Sequence, residues 1–284
     1  MRNFLQAGRL FYSLGIVAYG VQQLIIRDFR PEIVPAFPAW AHRYVVLSIT
    51  TGLGLIIAGI LSSDLFKIKE RKRKHIYLYL GFFFLLLILV FHLPYILIIS
   101  PNKIYHLGVW AQMLKELAFS GGSFVMAGSF VENDALDKSR NFFATLSKLF
   151  ISLGRIFFST TMILFGYSHF LYTEYVSMMV PKMFGIPVFW TYLGGVALIG
   201  SGICVIFKIF IKPVAFLLAI MLFLWFILLH IPHAIADPYS GNGNKIVSAF
   251  DALLFCGVSL VIASRASSTS SLIKEHYKSN RVIE

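Results

Sequence analysis

Six polar or ionisable side chains stand inside otherwise apolar runs, and they fall into three pairs: Gln23 with His169, His92 with His230, and Glu116 with Asp251. Imidazole takes and gives protons near neutral pH, and a carboxylate beside it can share that proton. Inside a membrane span such groups are costly, so each needs a partner or a task. Three readings fit them. As glue, they bond across helices and hold a bundle together at about 1 kcal/mol each. As a site, His230, Asp251, His169, His92 and Glu116 are the reactive groups, and His233 and Gln23 bind a quinone or another small molecule. As ligands, His169, His230, His233 and Asp251 are of suitable type for metal or haem, yet no signature spacing accompanies them, so no metal is assigned. The second half is the richer in chemistry, with His169 where the first has Gln23 and His233 where the first has Tyr95.

Other motifs are absent. No hydrolase triad, nucleotide loop or H-E-x-x-H occurs, and Gly241-Asn242-Gly243 reads as a turn because no Lys-Ser/Thr and helix follow it. Cys204 and Cys256 each lie in an apolar run without a C-x-x-C partner and read as small buried hydrophobes.

The elements that must position these residues follow from composition. Of 284 residues, 58% are hydrophobic and 13% charged, against about 25% charged in a typical soluble domain. A soluble enzyme, a disordered chain and a disulfide-stapled domain are all excluded. Eight segments reach the length a membrane helix needs, roughly 4–26, 44–61, 76–99, 109–131, 149–172, 188–207, 213–236 and 246–264. Segment 246–264 is interrupted by Asp251 and Cys256. The opening run, without a small-residue cleavage site, reads as a retained first span.

With the N-terminus inside, 18 Lys and Arg face the cytoplasm and 6 face out, with Lys115 within a span. That split obeys the positive-inside rule, and Trp40, Trp110 and Trp190 fall at outer span entrances. The expectation is a multi-pass protein of the cell inner membrane with both termini cytoplasmic. The net charge of +12 is then topology rather than nucleic-acid binding. Arg9 and Arg155 are expected to snorkel to the cytoplasmic interface. Glycines 52, 54, 59, 200 and 202 are expected to permit close helix contact. All six paired polar residues fall in the outer half of the bilayer.

The chain repeats itself. Gly8-Arg9-Leu10-Phe11-Tyr12-Ser13 recurs as Gly154-Arg155-Ile156-Phe157-Phe158-Ser159 at an offset of 146. Gly52 and Gly54 align with Gly200 and Gly202 at 148, and Phe91-His92-Leu93-Pro94 with Leu229-His230-Ile231-Pro232 at 138. The organisation read from this is a unit at 1–131, a cytoplasmic linker at 132–148, a unit at 149–264 and a cytoplasmic polar tail at 265–284. Four spans per unit is an even number, so the units are related by a pseudo-twofold along the membrane normal.

Arg9 opening a first helix, the His-x-Pro ending the third, and Lys115-Glu116-Leu117-Ala118-Phe119-Ser120-Gly121-Gly122 in the fourth resemble the DoxX family of four-span membrane proteins. Arg155, His230-Ile231-Pro232 and Phe250-Asp251-Ala252-Leu253 repeat the resemblance in the second unit, which departs from it at Phe250 and Cys256. The resemblance implies an all-α fold of two tandem four-helix bundles, eight transmembrane helices in all. Some members are similar to a subunit of a thiosulfate:quinone oxidoreductase. The implied function is a membrane redox component handling quinone or a small reduced substrate beside a soluble or peripheral redox partner. A transporter, a ligand-binding protein or a structural subunit without chemistry are the alternatives.

Overall fold

The computed structural model describes residues 2–130 and 142–280, with side chains over 3–130 and 142–266. Eight long helices organise the described residues: α1 (Arg2–Ile26), α2 (Val45–Ser62), α3 (Glu70–Leu87), α4 (Leu107–Ala127), α5 (Phe142–Leu171), α6 (Pro187–Phe207), α7 (Ile211–Trp225) and α8 (Asn244–Asn280). Short helical turns join them, and no strand occurs among the described residues. The protein is an all-helical, multi-pass membrane protein.

Among the described residues, seven helical stretches are long and apolar enough to cross a bilayer. The expected eighth, segment 109–131, is the one that falls short. It folds as α4, but Gln112, Lys115 and Glu116 lower its hydropathy. Neighbours enclose most of α4, and a helix buried in protein can carry polar groups that lipid would refuse. Segment 246–264 qualifies despite Asp251 on a mean hydropathy of 2.3, and 83% of its window is buried in the protein. Of the expected linker, 132–141 lies outside the described residues and 142–148 forms the opening turns of α5. Of the expected tail, 265–280 continues α8, and 281–284 lies outside the described residues.

Helices pack in corresponding pairs. α1 lies along α2 as α5 lies along α6, and α3 lies along α4 as α7 lies along α8. The remaining large contacts cross between halves: α1 docks on α8, and α5 docks on α4. Glycines permit the approach. A methyl at Gly59 would stand 2.9 Å from the Ser13 carbonyl oxygen, and one at Gly202 2.8 Å from that of Ser159. Gly52 likewise abuts Gly20, as Gly195 abuts Gly166. The register between α2 and α6 is therefore 143, not the 148 expected. Gly54 and Gly200 face open space.

His92 and His230 each close a π turn, Ile88–His92 and Phe226–His230. Pro94 and Pro232 lack the N–H of an α register and their rings crowd the preceding carbonyls. Widening to i→i+5 relieves that crowding, and Leu93 N–H bonds Ile88 O as Ile231 N–H bonds Phe226 O.

At one end of the bundle, Arg9 is 5% exposed and does not snorkel. Its Nε and Nη2 donate to the Ser129 hydroxyl at 3.0 and 2.8 Å, and its guanidinium stands 3.8 Å over the Phe130 ring. Asp64 lies 3.6 Å from Arg9 Nη1 and pairs with Arg73. A guanidinium with those partners in the protein gains nothing by reaching for water. Arg155 is half-buried and donates to the Val205 carbonyl at 3.3 Å. At the other end the segment after α1 folds inward, and buried Phe29, Ile33 and Val34 seat it on the bundle.

Candidate functional site

That inward fold carries two charges into the protein. Arg30 is 1% exposed and Glu32 is fully buried. Ile33 and Val34 N–H groups both bond the Arg30 carbonyl, closing a tight turn that fixes the two side chains. Arg30 Nε lies 3.4 Å from Glu32 Oε2, and Lys115 Nζ of α4 lies 3.2 Å from Glu32 Oε1. Lys115 also reaches Asp251 Oδ2 of α8 at 2.9 Å, and Tyr19 of α1 donates to Asp251 Oδ1 at 2.6 Å. Arg30 donates further to the Asn242 carbonyl at 2.8 Å and to Asn244 Oδ1 at 3.3 Å. Charges of opposite sign thus alternate from loop to α4 to α8. Burial works to raise the Glu32 pKa, but Lys115 and Arg30 outweigh it and hold the carboxyl below its ordinary value.

Glu116 follows Lys115 in sequence but points elsewhere, since successive helical residues are about 100° apart. It is fully buried, and its Oε2 lies 3.1 Å from His92 Nε2. Neither Glu116 oxygen has a hydrogen-bond partner. His92, in turn, lines a cleft of about 400 Å³ at this end of the bundle, together with Asp28, Phe29, Arg30, His42, Tyr95, Gln112 and Asn242. His42 sits between two acceptors, its Nε2 2.8 Å from the Pro35 carbonyl oxygen and its Nδ1 2.7 Å from Asp28 Oδ1.

The sequence-expected residues divide. His92, Glu116 and Asp251 are brought to this end, and Gln23 joins them by holding the loop: its Oε1 accepts from Arg30 N–H at 3.4 Å, and its Nε2 donates to the Ser48 carbonyl at 3.4 Å. The second-half histidines are not gathered into one site. His169 donates to Phe165 O on its own helix at 2.7 Å and stacks on Trp225. His233 donates to the Met179 carbonyl at 2.9 Å. His230 lies near Lys115 and His233. Asp251, counted with the second half, binds residues of the first.

Sequence reading missed Arg30, Glu32, Tyr19 and Gln112, and took Lys115 only as a charge within a span. The available signal was Lys115 itself, a cation in an apolar helix that needs carboxylates. Nothing local marked Glu32 as one of them. Among the described residues no group of three or more His, Cys, Asp or Glu has the arrangement of a metal site. Comparison with family models, curated proteins and solved structures returns no match to this chain.

Proposed function

We propose that this chain is an inner-membrane protein of two DoxX-like units that binds a small hydrogen-bonding molecule in the cleft and passes a proton through the His92–Glu116 pair. The carrying observation is the position of His92, whose ring lines the cleft and stands 3.1 Å from Glu116. Imidazole beside a buried carboxyl shares one proton with it and hands that proton on. A quinone head group is one such molecule, and the DoxX resemblance favours it, with a soluble or peripheral partner to exchange electrons.

Three observations support the tandem units: the matched π turns, the matched glycine contacts and the corresponding helix pairs. In this reading α4 is the eighth span. Its start lies by Tyr172 and its end by Arg9, at opposite ends of the bundle, and 21 residues cover about 30 Å. The excess of Lys and Arg on one side supports cytoplasmic termini.

Native mass spectrometry of the purified protein tests the site. A small molecule retained by the wild type and lost from His92→Ala is the expected result. Equal retention by both proteins, with equal affinity for a short-chain quinone, overturns the reading.

A further inference from the structure

Around the cleft, carboxyls outnumber the buried cations. Two cations, Arg30 and Lys115, face two carboxylates, Glu32 and Asp251, and both cations are committed to them. Glu116 is a third carboxyl, fully buried, with no cation against it. Gln112 Oε1 and Glu116 Oε1 are buried acceptors without a hydrogen-bond partner. They stand four residues apart on α4, one above the other on one face.

We propose that the ligand is an organic cation, a small primary ammonium, and that its binding releases the proton carried by the His92–Glu116 pair. The proposal rests on the cleft reading above and names its ligand class. An ammonium brings three donors and one positive charge: Gln112, on the cleft wall, can accept from it, and Glu116, outside the lining but 3.1 Å from His92, responds to its charge. Phe29 and Tyr95 line the same cleft, and aromatic faces attract cations. An anionic ligand would add charge beside three buried carboxyls. One positive charge enters and one proton leaves, so the site's charge is unchanged and no covalent bond of the ligand is made or broken. The other titratable groups facing this region are Asp28 and His42, bonded to each other on the cleft wall, Tyr95 on the same wall, Tyr19, which is bonded to Asp251, and His230 near Lys115.

The test uses the full-length protein in lipid nanodiscs at neutral pH, weakly buffered with a pH-indicator dye. The probes are butylammonium, its neutral and anionic counterparts butanol and butyrate, sodium ion, and a short-chain quinone. Butylammonium alone is expected to raise the melting temperature and to release up to one proton per molecule bound. Glu116→Gln should abolish the proton release. Gln112→Leu, at a half-exposed position that tolerates change, should weaken binding about tenfold and keep the release per bound molecule. Stabilisation by sodium ion alone overturns the organic class. Binding of butyrate or the quinone instead, lost in Gln112→Leu and His92→Ala, overturns the cation and leaves the cleft reading standing. No probe binding, with all three variants indistinguishable from wild type, overturns both.

Discussion

Lys115 is the residue whose removal tests the buried network most directly. It is the cation shared by Glu32 and Asp251, so Lys115→Met leaves Asp251 buried without a cation and Glu32 with Arg30 alone. Breaking one side of a buried pair costs about 3–5 kcal/mol. The variant should therefore be poorly folded in detergent, and Lys115→Met with Asp251→Asn should recover part of the loss, read by thermal unfolding. Tyr19→Phe removes one charged hydrogen bond and should cost only about 1.5–3 kcal/mol. Glu32 sets a pH dependence. Its pKa is lower in the folded protein than in the unfolded chain, so its contribution is present above the ordinary carboxylate range, about 4. As pH falls through that range toward the folded value, the unfolded chain takes up the proton first and stability declines. Melting temperature followed from neutral pH into acid should fall in the wild type and fall less steeply in Glu32→Gln.

Helices were legible in this sequence wherever one helix carried the whole signal. Apolar runs marked the helices, and the recurring Gly-Arg and His-x-Pro segments marked corresponding ones, because each motif lies within a single helix. What failed needed knowledge of a facing surface. Gly52-x-Gly54 and Gly200-x-Gly202 match as text, yet residues two apart on a helix point to different sides. The glycines that meet neighbours are seven apart, Gly52 with Gly59 and Gly195 with Gly202, two turns along one face. The prolines were legible as local disturbances but not as π turns, which depend on how the rest of the helix is held. Arg30 and Glu32 were hidden for the same reason: a charged loop reads as solvated until tertiary packing folds it inward. The glycine register makes its own prediction. Gly59→Ala and Gly202→Ala force a methyl against a neighbouring carbonyl and should destabilise by about 1–3 kcal/mol. Gly54→Ala and Gly200→Ala meet nothing and should be neutral or up to about 1 kcal/mol stabilising. Thermal unfolding of the four variants in one detergent separates the two registers.

At the scale of the whole molecule, the notable fact is which helices close the bundle. Each half supplies its own pairs, α1 with α2 and α3 with α4, then α5 with α6 and α7 with α8. The first helix of each half, however, docks on the last helix of the other, α1 on α8 and α5 on α4. The site follows that exchange, since Tyr19 and Lys115 meet Asp251 across the boundary. In lipid, such helix contacts rest on close packing and hydrogen bonds rather than on exclusion of water. A half on its own would leave both faces uncovered, with small residues such as Gly8 and Gly121 turned toward lipid in place of Gly257 and Gly154. Residues 1–131 and 142–284 produced separately should therefore be unstable or self-associate. Produced together, with a tag on one half only, they should co-purify in equal amounts. Lys115→Met in the first half or Asp251→Ala in the second should each reduce that recovery, and the same halves carrying Gly54→Ala or Gly200→Ala should not. Two halves that each purify as stable monomers and ignore one another would contradict the exchanged packing.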